Sequence, residues 1–136
     1  MTLDRDSLGS LTVVDVPERC GNAPRKAVVR DFTVALVSKN VAEVLQHISA
    51  DAQWTLNGKQ PLHGADEISA WVAGGPEAQE LEIHTVITHG TECGVDGVVT
   101  FTDGTAQLFS HIMRFSGGSK TAKIKEVRSY VIAPGH

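Results

Sequence analysis

The stretch Leu81–Ile132, LEIHTVITHGTECGVDGVVTFTDGTAQLFSHIMRFSGGSKTAKIKEVRSYVI, decides the fold. It divides into four runs rich in β-branched and aromatic residues: Leu81–His89, Cys93–Phe101, Thr105–Phe115 and Ala122–Ile132. Gly90, Asp103-Gly104 and Ser116-Gly117-Gly118-Ser119 stand between them, as hairpin turns require. Four long strands joined by short turns predict an antiparallel meander. Long strands twist, and a twisted sheet curls around whatever covers its apolar face.

The cover lies upstream. Asn22 can cap a helix with Pro24 in its first turn, and Val28, Phe32, Ala35 and Leu36 recur at i, i+4, i+7 and i+8, which predicts a helix to about Ser38. Asn40 followed by Glu43 has the spacing of a capping box, and Val41, Val44, Leu45 and Ile48 form the stripe of a second helix. Ala52–Leu56 is a short strand ended by Asn57-Gly58. Ile68, Trp71 and Val72 then mark a third helix that Gly74-Gly75-Pro76 must stop. Residues 1–22 hold one β-like run, Leu11–Val14, and no amphipathic pattern, so they are expected to form a loosely attached arm. Helices followed by hairpins give an α+β domain with three helices on one face of a strongly curved antiparallel sheet, enclosing a pocket.

With 136 residues the chain has the length of one domain, enough to bury roughly two thirds of its unfolded surface. It is 41% hydrophobic and 21% charged, and no segment approaches the roughly 20 apolar residues of a membrane helix. No apolar run follows a basic start in the first ten residues, which points to a cytoplasmic location. A net charge of -4 without a dense basic face argues against nucleic acid. Cys20 and Cys93 lack CxxC spacing and are expected to be idle thiols. His84 and His89 sit at an odd spacing that puts them on opposite faces of a strand, and no HxH or HExxH pair occurs, so neither a metal nor another cofactor is called for.

Several segments look like known motifs. Asp31-Phe32-Thr33-Val34-Ala35-Leu36 with Lys39-Asn40, Ile48 to Trp54, His63-Gly64-Ala65-Asp66-Glu67-Ile68, and Met113-Arg114-Phe115 before a glycine turn and Lys123-Ile124 occur in one order and spacing. Together they resemble the nuclear transport factor 2-like superfamily, in its SnoaL-like and ketosteroid-isomerase-like branch, over about residues 23 to 132. The resemblance implies a cone-shaped domain over 23–136 behind the arm, with a pocket between concave sheet and helices, and a homodimer through the sheet's outer face.

Strand alternation puts Phe109, His111, Met113 and Phe115 on one face, and Leu108, Ser110, Ile112 and Arg114 on the other. The resemblance places His111 where ketosteroid isomerases hold the protonated acid of the oxyanion hole. An imidazole there could donate a hydrogen bond to a carbonyl or act as a general base. The plainer alternative is a buried, hydrogen-bonded histidine. Ser110 faces the other way and cannot pair with it, and no GxSxG motif is present. By the same resemblance Phe32 replaces a catalytic tyrosine and Leu56 the proton-abstracting aspartate, so that isomerase's chemistry is lost. Epoxide hydrolysis also lacks its inward carboxylates. Trp54 shares a face with Leu56, and Phe32, Trp54, Leu56, Phe109, Met113 and Val127 would form a lining for a small hydrophobic molecule or, equally, an ordinary core. Asp31, Asp66 and Glu67 belong on the surface, while Arg128 and Tyr130 face outward unless a β-bulge reverses them. Two functions follow: a ligand-binding protein or SnoaL-like enzyme working through His111, or a non-catalytic dimeric module using the outer sheet face.

Overall fold

The computed structural model describes residues 11–15, 24–119 and 121–133. Asn22 and Cys20 fall outside them. The order is strand β1 (Thr12–Asp15), helices α1 (Pro24–Val37) and α2 (Val41–His47), strands β2 (Ile48–Leu56) and β3 (Leu62–His63), helix α3 (Gly64–Ala73), and strands β4 (Ala78–His89), β5 (Glu92–Phe101), β6 (Ala106–Phe115) and β7 (Ile124–Ile132).

Local chemistry sets the helix ends. Pro24 opens α1, where a missing N–H costs nothing. Past its last turn the Asn40 N–H donates to the Ala35 carbonyl at 2.9 Å and the Lys39 N–H to the Leu36 carbonyl at 3.2 Å, with Lys39 at φ 60°. This is a Schellman turn. Asn40 Oδ1 accepts from the Glu43 N–H at 3.3 Å and caps α2. Only this half of the capping box forms, because the Asn40 N–H is already committed to closing α1.

The four long strands form the meander that their turns require, within the seven-stranded order β1-β4-β5-β6-β7-β2-β3. The flanking strands make the sheet mixed: β1 runs parallel to β4 and β2 parallel to β7. β3 folds back on β2 past Asn57 and Gly58, both at positive φ. The run Leu11–Val14 is more firmly held than its sequence implies. Thr12–Asp15 pairs residue for residue with Glu80–Ile83, and Leu11 and Val13 are buried. A four-residue edge strand is too short to display periodicity. β2 likewise begins at Ile48, ahead of the expected Ala52, because a register irregularity between Ile48 and Gln53 interrupts its alternation.

A second irregularity corrects the reading of the histidines. Ile83 pairs with Gly97 and Thr85 with Asp96, which leaves His84 in a β-bulge. The bulge shifts parity so that Ile83 and Val86 both point inward, and His84 and His89 both end on the outer face rather than on opposite ones. Gly97 lies across from it. A Cβ there would collide with the Glu82 carbonyl oxygen, so only glycine allows the two strands this close where the sheet bends.

The strongly curved, unclosed sheet turns its concave face to the helices. α1 crosses β4 and β5, and α3 packs on β2. Phe32, Trp54, Ile68, Leu81, Ile83, Met113 and Ile124 are fully buried between the layers. On β6, Phe109, His111, Met113 and Phe115 point inward as their alternation requires, while β7 turns Arg128 and Tyr130 outward. The bulge in β7 falls at Lys125, ahead of both, and leaves their direction unchanged.

Candidate functional site

Sheet register explains how the site is assembled. Leu56 of β2 pairs with Ser129 of β7, Ser129 with His111 of β6, and His111 with Val95 of β5, forming one row across the concave face. The next row toward the narrow end is Trp54, Val127, Met113 and Cys93. Phe32 closes that end, with its ring 5.6 Å from Trp54 and edge-on to His47 at 5.9 Å.

A cavity of about 240 Å³ opens on the other side of the His111 row. Its walls are Leu36 and Val37 at the end of α1, Trp71 and Val72 on α3, Val99 and Phe101 on β5, Gln107 and Phe109 on β6, and Ser129 and Val131 on β7. Leu56 and His111 complete the floor, and Lys39, Gly75 and Pro76 stand at the helix ends. Of the sequence-predicted lining, Leu56, Phe109 and His111 reach the cavity. Phe32, Trp54, Met113 and Val127 do not; they form the packed layer beneath it. The reason is depth along the strand, since alternation tells inward from outward but not which inward row meets the void.

Three buried side chains form a connected polar group in this apolar floor. Trp54 Nε1–H donates to Ser129 Oγ at 2.7 Å, and His111 Nδ1 lies 2.7 Å from the same oxygen. Ser129 is 1% exposed and His111 4%. Indole nitrogen only donates, so Ser129 Oγ is the acceptor of that bond. Its own proton has His111 Nδ1 as the acceptor in reach among the described residues. This assigns the remaining ring proton to Nε2, which has no protein partner among the described residues and belongs to a ring in the cavity wall. The Phe109 ring stacks on the imidazole at 5.0 Å and Trp54 meets it edge-on at 6.3 Å. Burial pushes the His111 pKa down to about 4, because nothing nearby offsets the loss of water around a charged imidazolium. At neutral pH the ring is uncharged.

No carboxylate lines the cavity among the described residues. Phe32 is buried in the core and Leu56 holds the floor, so the two side chains that the resemblance sets against an isomerase's tyrosine and aspartate are both hydrocarbon. Nor do any three His, Cys, Asp or Glu side chains cluster as metal ligands among the described residues. Cys93 is buried, and burial raises its thiol pKa against a smaller opposing influence from Arg25, which disfavours the reactive thiolate.

A family model described as a SnoaL-like domain matches residues 29–127. The chain belongs to the SnoaL-like domain family. Solved structures of nuclear transport factor 2-like proteins share the fold of this SnoaL-like chain. A protein of that fold and unknown function from Burkholderia xenovorans LB400 superposes with a TM-score of 0.72 at 14% identity, covering 85% of this chain and 88% of the other. A candidate ketosteroid isomerase from Kribbella flavida DSM 17836 gives 0.68 at 14% identity, covering 80% and 78%. A nuclear transport factor 2-like protein of unknown function from Burkholderia pseudomallei K96243 gives 0.64 at 23% identity, covering 79% and 89%. No curated protein matches the sequence.

Sequence reasoning on this SnoaL-like domain singled out His111 but missed its partner. Ser129 stands between Val127 and Val131, one polar residue at an inward position of an otherwise apolar strand face, and that break was the available signal. Trp71 marks only a helix in the sequence and Lys39 only belongs to the Asp31–Asn40 motif, yet both border the cavity.

Proposed function

We propose that this protein binds a small hydrophobic molecule in the cavity and holds a carbonyl-type oxygen of that molecule against His111 Nε2. The observation that carries the reading is the buried chain from Trp54 through Ser129 to His111. It fixes the imidazole's tautomer and orientation, and a neutral N–H donor in dry surroundings stabilises charge that develops on an oxygen without having to surrender its own proton. Apolar walls suit the rest of the ligand.

The same arrangement bounds the chemistry. A lining without carboxylates among the described residues offers no separate proton acceptor there, so the reading covers ligand binding and those isomerase, cyclase or hydrolase steps in which the ligand itself or water accepts the proton. Titration calorimetry with the ketone 2-acetonaphthone tests it. His111→Ala is expected to weaken binding about tenfold, as loss of one such hydrogen bond does. Unchanged affinity overturns the reading.

A second reading rests on the outer sheet face, where Ile87 is 59%, Tyr130 48% and Ile132 63% exposed. Apolar side chains this open favour a homodimeric module whose outer face meets a second copy. Light scattering decides this reading: a dimer supports it, and a monomer contradicts it.

A further inference from the structure

Lys39 breaks a local rule. It occupies the left-handed position that closes the Schellman turn of α1, with φ 60°. Glycine is the usual residue there, because a Cβ crowds the backbone in that conformation at a cost of about 1 kcal/mol. A lysine at such a position calls for an account in terms of its side chain. That side chain reaches from the α1 end across to the segment after α3, where Nζ donates to the Gly75 carbonyl at 2.9 Å.

Three facts about its surroundings belong together. Lys39 and Gly75 both border the cavity that His111 floors. Among the described residues of that lining, Lys39 is the only one with a formal charge at neutral pH, since His111 is held neutral. No carboxylate pairs with its ammonium among the described residues, and of its three N–H donors the Gly75 carbonyl takes one. An apolar cavity whose border carries, among the described residues, one cation without a carboxylate partner repels cationic ligands and rewards an anion placed at that end.

We infer that the cavity selects amphipathic monoanions, hydrophobic carboxylic acids in particular, with the carboxylate held by Lys39 beside the Gly75 carbonyl and the apolar body packed on Phe109, any carbonyl-type oxygen that it carries being the group that meets His111. This rests on the cavity being a ligand site, and it adds the ligand's charge and polarity. It also gives Lys39 a role that a structural clasp between α1 and α3 does not need.

The test compares an isosteric pair, 2-naphthoate and 2-naphthamide, by titration calorimetry at pH 7.5. Wild-type protein is expected to bind the acid about tenfold more tightly than the amide, the advantage of a charge-assisted hydrogen bond. Lys39→Met removes the charge and should abolish that preference by weakening the acid alone. Lys39→Gly suits the φ 60° backbone, keeps the turn and should do the same, so a folding defect cannot imitate the result. Equal affinity for acid and amide in the wild type, or a preference that survives both substitutions, overturns this inference and leaves the pocket reading standing. Failure of both probes to bind at millimolar concentration overturns the pocket reading and this inference with it.

Discussion

His111 and Ser129 are direct cross-strand partners whose side chains meet 2.7 Å apart, nitrogen to oxygen, beneath the cavity. Because Trp54 donates to the same oxygen, Ser129 is the joint of the site rather than one more buried hydroxyl.

Ser129→Ala therefore removes two hydrogen bonds at once and leaves the Trp54 N–H and His111 Nδ1 buried without a partner. Unsatisfied buried groups cost about 1–3 kcal/mol each, so urea denaturation should show a loss of roughly 3 kcal/mol. Nitrogen-15 spectra of the imidazole should also change, from a single Nε2–H form to a tautomer mixture. A loss under about 1 kcal/mol would mean that the chain of bonds is incidental.

Acid should destabilise the fold through His111. The unfolded ring takes up a proton near its ordinary value of 6.5, whereas the folded ring does so only near 4. Between these values the unfolded state binds more protons, so this contribution is complete above about pH 6.5 and disappears as the pH falls toward 4. Its size is on the order of 3 kcal/mol. Stability measured against pH should fall across this window in the wild type and lose that component in His111→Gln; identical profiles would contradict the assignment.

Gly97→Ala should be among the most damaging single-methyl additions. Its Cβ would collide with the backbone of β4 rather than with a flexible side chain, so relief requires moving a strand. A loss of about 2 kcal/mol or more in chemical denaturation is expected, against a few tenths for Gly118→Ala, where the space is open.

On the outer face, the dimeric reading predicts that Tyr130→Glu converts a dimer into a monomer by light scattering while leaving the melting of the subunit intact. A dimer that persists would place the interface elsewhere.

How much was legible follows from the physics of each signal. Periodicity of two located the inward side chains of β6, including His111, because residue parity along one strand is written in the sequence. Turn residues located the meander. Bulges are not written this way: nothing in Ile83-His84-Thr85 announces the extra residue, so the faces of His84 and His89 came out wrong. Depth was equally hidden. Trp54 and Leu56 share a face one pleat apart, yet Trp54 is sealed against Phe32 and only Leu56 reaches the cavity. The pairing of His111 with Ser129 depends on register between β6 and β7, which is fixed by the Ser116–Lys123 connection and the bulge after Ile124 rather than by either strand alone.

The most direct test of the central claim is the infrared carbonyl stretch of isotope-labelled 2-acetonaphthone bound to the protein. Hydrogen bonding from His111 Nε2 should shift the band to lower frequency than in an apolar solvent, and His111→Phe should return it to the apolar value. A bound ketone whose carbonyl band is the same in wild type and His111→Phe would contradict the account.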